Sequence, residues 1–447
     1  MTGQTDTIAA IATPPGVGGI GVIRVSGPHA PIIARAVLGD VPKPRHAQYC
    51  EFRDQHGQLL DSGLALYFPG PASFTGEDVL ELQGHGGPVI MNLLLKRVLA
   101  GGARIARPGE FSERAFLNGK LDLAQAEAIA DLIESGTDMA ARAASRSLEG
   151  VFSDRVNTLL SQLIDLRVFV EAAIDFPDEE VAFLADSDVL ERLDQARDSL
   201  DKLLEDAHQG QLLRDGLMLA IIGRPNAGKS SLLNALSGED AAIVTEIPGT
   251  TRDVLRTAIS LDGMPVHLVD TAGIRDTKDL IEAEGVRRAR DALRKADVIL
   301  LVVDCCQELV GQLALQEELP DRVPVIVVFN KIDLKDEPAR INRSATEVWL
   351  SAKTGEGLDG LHKAIRKVLG LNESSEGAFT ARTRHLDALR RVIAHLQQGR
   401  AQLTDHQAGE LLAEELRQAQ QALGEITGTY ASDDLLGAIF ASFCIGK

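Results

Sequence analysis

A glycine-rich stretch in the middle of the chain has the residue types that bind phosphate groups. Residues 223–230 read Gly-Arg-Pro-Asn-Ala-Gly-Lys-Ser, a G-x-x-x-x-G-K-S pattern between an apolar run and a helix-like segment. Glycines let backbone N–H groups wrap the phosphates, Lys229 reaches the β- and γ-phosphates, and the Ser230 hydroxyl holds Mg²⁺. The competing interpretation is a chance glycine-rich turn. The downstream residues decide between the two.

Further motifs follow in the order and spacing of a guanine-nucleotide site. Residues 270–273 read Asp-Thr-Ala-Gly, where the acid reaches Mg²⁺ through water and the glycine N–H faces the γ-phosphate. Thr251 is placed between these elements to bind the same Mg²⁺. Residues 330–333 read Asn-Lys-Ile-Asp, and Asp333 can accept from N1–H and N2–H₂ of guanine, a donor pair that adenine lacks. Residues 351–353, Ser-Ala-Lys, form the loop that backs the base.

Strand-length apolar runs alternate with helix-like segments around these motifs. The runs cover 217–222, 266–269, 298–303, 325–329 and 347–350. This alternation predicts a mostly parallel sheet, in a domain at 214–371.

Residues 1–119 have the pattern of an α+β domain. Strands are predicted at 8–12, 20–25, 49–53, 60–68 and 79–83, helices at 31–38 and 88–100, and a short extended segment at 104–106. The Asp-Gln-His-Gly run at 54–57 is a hairpin signal. His85 stands alone, so a structural histidine in a tight turn is favoured over a ligand.

Residues 120–213 and 372–447 are helix-like on both sides of the nucleotide domain. Apolar residues recur at three- and four-residue spacing, and the Asp-Phe-Pro-Asp run at 175–178 separates two long helices. Residues 372–447 alone would form only a thin hydrophobic core. We therefore expect one helical domain built from both flanks, with the nucleotide domain inserted between them. The predicted fold class is therefore multidomain, α/β and α+β, with a discontinuous α-helical domain.

The composition is that of a globular chain. It has 447 residues, 45% of them hydrophobic, and a net charge of −19, which opposes non-specific binding to nucleic acid. Pro14 and Pro15 break the first apolar stretch, and no apolar run approaches the length of a membrane span, so we expect a cytoplasmic protein. The four cysteines, Cys50, Cys305, Cys306 and Cys444, are expected to be thiols, with Cys305 and Cys306 merely ending a buried strand.

Four stretches together resemble the bacterial MnmE (TrmE) family of tRNA-modification GTPases, in the TrmE-Era-EngA-YihA-Septin-like group. They are Gly-Arg-Pro-Asn-Ala-Gly-Lys-Ser-Ser at 223–231, Gly-Thr-Thr-Arg-Asp at 249–253, Asp-Thr-Ala-Gly-Ile-Arg at 270–275 and Phe-Cys-Ile-Gly-Lys at 443–447. The resemblance implies a homodimer whose 1–119 segment is a tetrahydrofolate-binding-like and dimerisation domain, and whose inserted G domain is Ras-like. It also implies that the protein acts on tRNA together with the flavoprotein MnmG, with which it forms a heterotetramer. Together they would install a carboxymethylaminomethyl or aminomethyl group on C5 of the wobble uridine, with 5-formyl- or 5,10-methylene-tetrahydrofolate as one-carbon donor.

The motifs and the resemblance imply one set of ligands for GTP and Mg²⁺. The Mg²⁺ ligands are Ser230 and Thr251. The GTP-binding residues are Asn226, Ala227, Gly228, Lys229, Ser230, Ser231, Thr245, Glu246, Ile247, Pro248, Gly249, Thr250, Thr251, Asp270, Thr271, Ala272, Gly273, Asn330, Lys331, Asp333, Ser351, Ala352 and Lys353.

Catalysis needs a group other than the usual glutamine. Ras-like enzymes orient the attacking water with a glutamine just after Asp-x-x-Gly, and here Ile274 stands at that position. The resemblance places the catalytic glutamate at Glu282; alternatively, Glu282 belongs to a solvated helix start. Arg275 either acts as an arginine finger or holds the loop to a neighbouring acid. The predicted catalytic residues are Glu282, Lys229 and Arg275.

The resemblance also implies a K⁺ ion near the phosphates. Its ligands would be the side chain of Asn226 and loop oxygens of Thr245, Ile247 and Thr250. The alternative for Asn226 is a turn-forming residue without an ion.

A folate site rests on the same resemblance. Arg24, Glu81, Lys120 and Lys447 match its positions, and without the family they would be ordinary surface charges. Cys444 would serve the tRNA-modification chemistry; a buried, inert thiol is the alternative.

Two other classes of GTPase compete with this interpretation. A ribosome-assembly GTPase should carry a basic RNA-binding module, and none is visible after residue 372. A membrane-remodelling GTPase should carry an amphipathic or hydrophobic anchor, which the last residues of the sequence do not provide.

Overall fold

The computed structural model describes residues 6–175, 187–237, 256–261, 263–270, 293–370, 378–406, 408–443 and 446. The chain divides into two compact units. The first comprises 1–130, 153–193 and 394–447, and the second comprises 131–152 and 194–393. The domain boundaries inferred from the sequence, at 119, 213 and 371, follow a different division and stay predictions.

The secondary structure alternates between sheet and helix along the chain. The strands are β1 Thr7–Ile11, β2 Gly18–Ser26, β3 Gln48–Arg53, β4 Leu59–Phe68, β5 Val79–Gly86, β6 Ala103–Ile105, β7 Leu217–Gly223, β8 Arg256–Leu261, β9 Met264–Asp270, β10 Val298–Asp304, β11 Val325–Asn330, β12 Arg340–Ile341 and β13 Glu347–Leu350. The helices are α1 Ala30–Leu38, α2 Pro88–Ala100, α3 Glu110–Leu117, α4 Leu123–Glu134, α5 Asp138–Glu149, α6 Val151–Asp175, α7 Ser187–Asp215, α8 Lys229–Ser237, α9 Val310–Leu313, α10 Leu358–Val368, α11 Thr383–His406, α12 Gly409–Thr427 and α13 Asp433–Ala441. Within the described residues, two 3₁₀ turns cover Ala314–Glu318 and Ile332–Leu334. Among the helices described, none has an apolar stretch long enough to cross a bilayer.

The first unit is built on a six-stranded sheet in the order β3-β4-β5-β2-β1-β6. All neighbours are antiparallel except β1 and β6. Alternate residues of the strands face α1 and α2, whose Ile33 and Leu94 pack in the same core as Ile23 and Leu82. Both helices have proline in the first turn, where its missing N–H costs nothing. This is the α+β architecture expected from the sequence.

The second unit contains a seven-stranded sheet in the order β12-β13-β11-β10-β7-β9-β8. Strands β13, β11, β10, β7 and β9 are parallel, while the edge strands β12 and β8 are antiparallel to their neighbours. Every residue of β10 is buried, since Leu300 faces a core shared with α8 and α10, and Leu301 faces a second core on the opposite side. A strand covered on both faces is typical of a parallel sheet. The mostly parallel sheet predicted for this part of the chain is confirmed.

Two expectations about single residues are wrong. His85 lies within β5 and not in a tight turn; its N–H and Nδ1 bind the two carboxylate oxygens of Asp61 at 2.8 and 2.7 Å. Strand β10 ends at Asp304, so Cys305 and Cys306 follow it. Cys305 is buried, but Cys306 is exposed and its thiol lies 3.9 Å from the carbonyl oxygen of Lys331.

One buried carboxylate ties together the segments that enter and leave the second sheet. Asp131, in α4, has a side chain only 4% exposed. It accepts hydrogen bonds from Nε of Arg214 at 2.8 Å and from Nη2 of Arg382 at 2.7 Å. Arg214 is in the last turn of α7, just before β7, and Arg382 directly precedes α11. The segments that enter and leave the second sheet therefore share one negatively charged partner, Asp131.

Replacing Asp131 by alanine will destabilise the second unit, because two guanidinium groups lose a buried partner. Breaking a buried ion pair costs about 3–5 kcal/mol, and we expect the lower end because both arginines keep some contact with water. Urea unfolding of the full chain measures the effect. The matched control is Asp387→Ala, which removes an exposed pair with Arg390. Equal shifts in the two variants would contradict the special role of Asp131.

Candidate nucleotide-binding site

The predicted nucleotide motifs lie at one edge of the second sheet, where parallel strands end. Strands β7, β10, β11 and β13 end at Gly223, Asp304, Asn330 and Leu350. Their register places Val302 beside Gly223, Asp304 beside Asn330, and Asn330 beside Leu350. Ligands of open α/β sheets bind outside the carboxyl ends of the strands.

The loop at 223–228 has the backbone of a phosphate cradle. Gly223, Asn226 and Gly228 have φ of 151°, 65° and 100°, the region that glycine and asparagine adopt most readily. A Cβ on Gly228 would lie 2.1 Å from Nδ2 of Asn330, and one on Gly223 would lie 2.3 Å from the carbonyl oxygen of Val302. Both positions need glycine, because the backbone of β10 lies too close to Gly223 for a Cβ and the buried Asn330 side chain lies too close to Gly228.

The first turn of α8 brings a cation to this loop. Lys229 begins the helix, and its Nζ donates to the carbonyl oxygens of Gly223 at 2.9 Å and Arg224 at 3.0 Å. Ser230 and Ser231 follow it and are exposed. A helix N-terminus with an ammonium group favours phosphate, and an exposed hydroxyl oxygen suits Mg²⁺. These residues fit the predicted site for the phosphates and the metal.

The Asn330 side chain joins three loops. Its Nδ2 donates to the carbonyl oxygen of Ala227 at 2.9 Å, while its Oδ1 accepts from the N–H groups of Lys331 at 2.8 Å and Ala352 at 3.0 Å. Asn330 is 2% exposed. A buried carboxamide with both ends satisfied orders the loops around it. It therefore fixes the phosphate loop relative to the two loops predicted to hold the base.

Lys331 makes a second connection between the base loop and the phosphate loop. Its Nζ donates to the carbonyl oxygen of Asn226 and to Oδ2 of Asp304, both at 2.7 Å. Burial alone would raise the pKa of Asp304. The hydrogen bonds from Lys331 and from the N–H of Cys306, with the charge of Lys331, outweigh burial and hold this pKa below its usual value. The pair is therefore ionic.

The remaining base-loop residues lie at the rim of the same edge. Asp333, in the 3₁₀ turn Ile332–Leu334, and Lys353 are exposed. Ser351 is buried, and its Oγ accepts from the N–H of Thr354 at 3.2 Å, which closes the loop. The exposed Asp333 carboxylate is accessible to a base entering from solvent.

Part of the predicted site falls outside the described residues. For Asp270 the structure gives the backbone, as the last residue of β9, but not the side chain. The others are Thr245, Glu246, Ile247, Pro248, Gly249, Thr250, Thr251, Thr271, Ala272, Gly273, Ile274, Arg275, Glu282, Cys444 and Lys447.

Sequence reasoning missed Asp304. The sequence did carry a signal, because Asp304 ends the fully apolar run 298–303. An acid at the end of a buried central strand needs a partner for its charge. The sequence alone does not identify Lys331 as its partner, because that contact depends on the register of β10 and β11.

A second group of predicted residues meets in the first unit. Arg24 and Glu81 face each other across β2 and β5, and Nε of Arg24 donates to Oε1 of Glu81 at 2.9 Å. Nη1 of Arg24 lies 3.5 Å from the carbonyl oxygen of Gly446, and its guanidinium lies 5.5 Å from the centre of the Phe74 ring. Arg24 thus contacts both Glu81 and Gly446.

Lys120 contacts the loop that carries Phe74. Its Nζ donates to the carbonyl oxygen of Pro71 at 3.1 Å. Three of the four predicted folate residues are therefore described, and all three contact either one another or the loop 69–78.

The parallel sheet, the glycine-rich loop ending in Lys229 and the Asn330 loop together define a GTPase of the P-loop class. Residues 7–120 match the family model of the GTP-binding protein TrmE N-terminus, and residues 123–444 match that of the MnmE helical domain.

Curated relatives match over their whole length. The chain is 60% identical over 456 residues to the tRNA modification GTPase MnmE of Pseudomonas syringae pv. tomato, with 100% of both chains covered. It is 58% identical over 452 residues to the MnmE of Pectobacterium carotovorum, covering 99% of this chain and 100% of the relative. Among solved structures, the G domain of the T. maritima FeoB iron transporter is 27% identical, with a TM-score of 0.26, over 34% of this chain and 98% of that chain. The chain belongs to the MnmE (TrmE) family of tRNA modification GTPases.

Proposed function

We propose that this chain hydrolyses GTP to support modification of the wobble uridine at C5 in certain tRNAs, acting with the flavoprotein MnmG and a folate one-carbon donor. The observation that carries the proposal is the approach of Arg24 to the carbonyl oxygen of Gly446. Gly446 lies two residues after Cys444 and directly before Lys447 in the sequence, so we infer that the motif at 443–447 belongs to the predicted folate site. A thiol and a one-carbon carrier would then share one site.

The chemistry of the Arg24–Glu81 pair suits a reduced folate. The Glu81 carboxylate can accept two hydrogen bonds from the amino-pyrimidinone edge, and the cations of Arg24, Lys120 and Lys447 can pair with the glutamyl carboxylates. The side chains of Arg24 and Glu81 are 22% and 17% exposed, so both are accessible but partly desolvated. When bound, 5-formyl- or 5,10-methylene-tetrahydrofolate would supply the one-carbon unit.

The nucleotide site suits GTP hydrolysis with two cations. Lys229 and the N-terminus of α8 would neutralise phosphate charge, while Ser230 and Thr251 would hold Mg²⁺. Ile274 has no group that can hydrogen-bond to water, so we assign the orientation of the attacking water to Glu282. The side chain of Asn226, with loop oxygens of Thr245, Ile247 and Thr250, would hold K⁺.

The proposed assembly is a homodimer that works with MnmG as a heterotetramer. Residues 1–119 would hold the two copies together, and the two G domains would meet across their nucleotide faces. Such a contact would shield the K⁺ site from water. Potassium would then activate hydrolysis by G-domain dimerisation.

Changing Glu81 to glutamine will lower folate affinity and C5-modified wobble uridine by about 10–100-fold, because a charged acceptor of hydrogen bonds is lost. The readouts are isothermal titration with 5-formyl-tetrahydrofolate and mass spectrometry of tRNA nucleosides from cells carrying only the variant. GTP hydrolysis should stay near the parent rate, since Glu81 belongs to the first sheet.

The matched control is Glu51→Gln, which changes an exposed acid of the same sheet that pairs with Arg53. It should leave folate affinity and modification unchanged. Normal folate affinity together with normal modification in Glu81→Gln would overturn the assignment of this site.

A further inference from the structure

Asp304 ends the strand that lies between the two nucleotide-binding loops. Strand β10 pairs with β7, which leads into the phosphate loop, and with β11, which leads into the base loop. Asp304 is opposite Asn330 in this register, and its side chain is 4% exposed. A carboxylate so placed must be compensated, because an unpaired buried charge is costly.

A continuous set of hydrogen bonds leads from this carboxylate to the phosphate loop. Oδ2 of Asp304 accepts from Nζ of Lys331 at 2.7 Å, and the same Nζ donates to the carbonyl oxygen of Asn226 at 2.7 Å. Asn226 holds a φ of 65° and Lys331 a φ of 71°, a left-handed backbone conformation that asparagine tolerates but lysine rarely adopts. The Lys331 ammonium thus bridges the base loop and the phosphate loop.

We propose that Asp304 is a positioning residue for guanine nucleotide binding. By holding the Lys331 ammonium against the Asn226 carbonyl, it couples the base loop to the phosphate loop and slows the release of both GDP and GTP. Asp304 acts through Lys331 and does not itself contact the nucleotide.

Asp304 also orders its own loop, and this role is separable. Its Oδ1 accepts from the N–H of Cys306 at 2.9 Å, and Nε2 of Gln307 donates to Oδ2 at 3.1 Å. An asparagine keeps an oxygen for the Cys306 N–H but removes the charge that attracts Lys331. Changing Gln307 to alanine removes a second donor to Oδ2 and leaves the Lys331 pair intact. The two changes therefore separate the ion pair from loop order.

The test measures release of N-methylanthraniloyl-GDP and -GTP from the full chain by stopped flow. Asp304→Asn should release both nucleotides about 10-fold faster, because one hydrogen bond between charged groups is lost. Gln307→Ala should stay within about twofold of the parent. Asp304→Glu keeps the charge and should release nucleotide more slowly than Asp304→Asn.

A double-mutant cycle with Lys331→Met distinguishes action through Lys331 from a general loss of structure. If Asp304 acts through Lys331, the double variant releases nucleotide no faster than Lys331→Met alone. Multiplicative effects, parent-like release from Asp304→Asn, or equal release from Asp304→Asn and Asp304→Glu would each overturn the proposal. If Asp304→Asn does not fold, as judged by thermal melting, the same cycle is run with Asp304→Glu. Faster nucleotide release caused by Asp304→Glu in the Lys331→Met background would then overturn the proposal.

Discussion

Changing Asp333 to asparagine will weaken GTP binding by about 10²–10⁴-fold, because two hydrogen bonds to a charged acceptor, worth about 1.5–3 kcal/mol each, are lost. The carboxamide presents a donor to the base, which matches the extra carbonyl of xanthine. Xanthosine triphosphate should therefore bind the variant more tightly than GTP does. Competition against a fluorescent guanine nucleotide measures both affinities.

The control for this change is Asp336→Asn, three residues further along the chain. Asp336 is also an exposed acid, so its substitution changes the local charge equally. It should leave the preference for GTP intact. Unchanged GTP affinity in Asp333→Asn would show that the base is recognised elsewhere.

GTP hydrolysis will be slow in Na⁺ and much faster in K⁺. With Ile274 in place of glutamine, the transition-state charge needs another cation, and an arginine finger in that role elsewhere contributes about 10³–10⁵ in rate. We expect a potassium effect that approaches the lower end of this range. GDP with aluminium fluoride should bring G domains together only when K⁺ is present. Steady-state hydrolysis measures the effect on rate, and energy transfer between fluorophores on the two G domains of the homodimer measures their approach, both in matched Na⁺ and K⁺ buffers.

Variants of Asn226 test whether its side chain carries the potassium effect. Asn226→Ala removes the carboxamide but places alanine at a φ of 65°, whereas Asn226→Gly removes it without strain. Both should lose the response to K⁺ while still binding nucleotide, because Lys229 and the loop backbone remain. Asn234→Ala, in α8, is the control. Equal rates of the parent in the two salts would return Arg275 to first place as the catalytic cation.

Most of both sheets could be predicted from apolar pattern alone. The runs at 217–222, 298–303 and 325–329 became β7, β10 and β11 almost residue for residue, because a parallel strand buried on both faces is apolar throughout. Helix α2 was predicted with its observed bounds from its proline start.

Elements held by polar contacts were harder to predict. Helix α3 contains Glu110 and Arg114, which are 0% and 2% exposed and bind each other, so its buried face is not apolar. In β5, the glycines around His85 are typical of a turn. The structure instead needs Gly84 as a strand residue, since a Cβ there would lie 2.4 Å from Oδ2 of Asp61.

The nucleotide loops were predictable because their chemistry constrains local sequence. Close approach requires Gly223 and Gly228, and phosphate requires Lys229, so both appear as a continuous motif. The contact of Asp304 with Lys331 is different, since the two residues are distant in sequence and meet only through strand register. Gly446 and Arg24 are likewise distant in sequence, so their contact could not be predicted from local sequence.

The most direct test of the proposed function is the wobble-uridine content of tRNA from cells that lack this protein. Nucleosides from total tRNA would be separated and identified by mass spectrometry, with the deletion strain complemented by the parent chain or by Lys229→Ala. We expect C5-modified wobble uridine to disappear in the deletion, to return with the parent and not to return with Lys229→Ala. Normal modification in the deletion strain, or full restoration by Lys229→Ala, would contradict the proposed function.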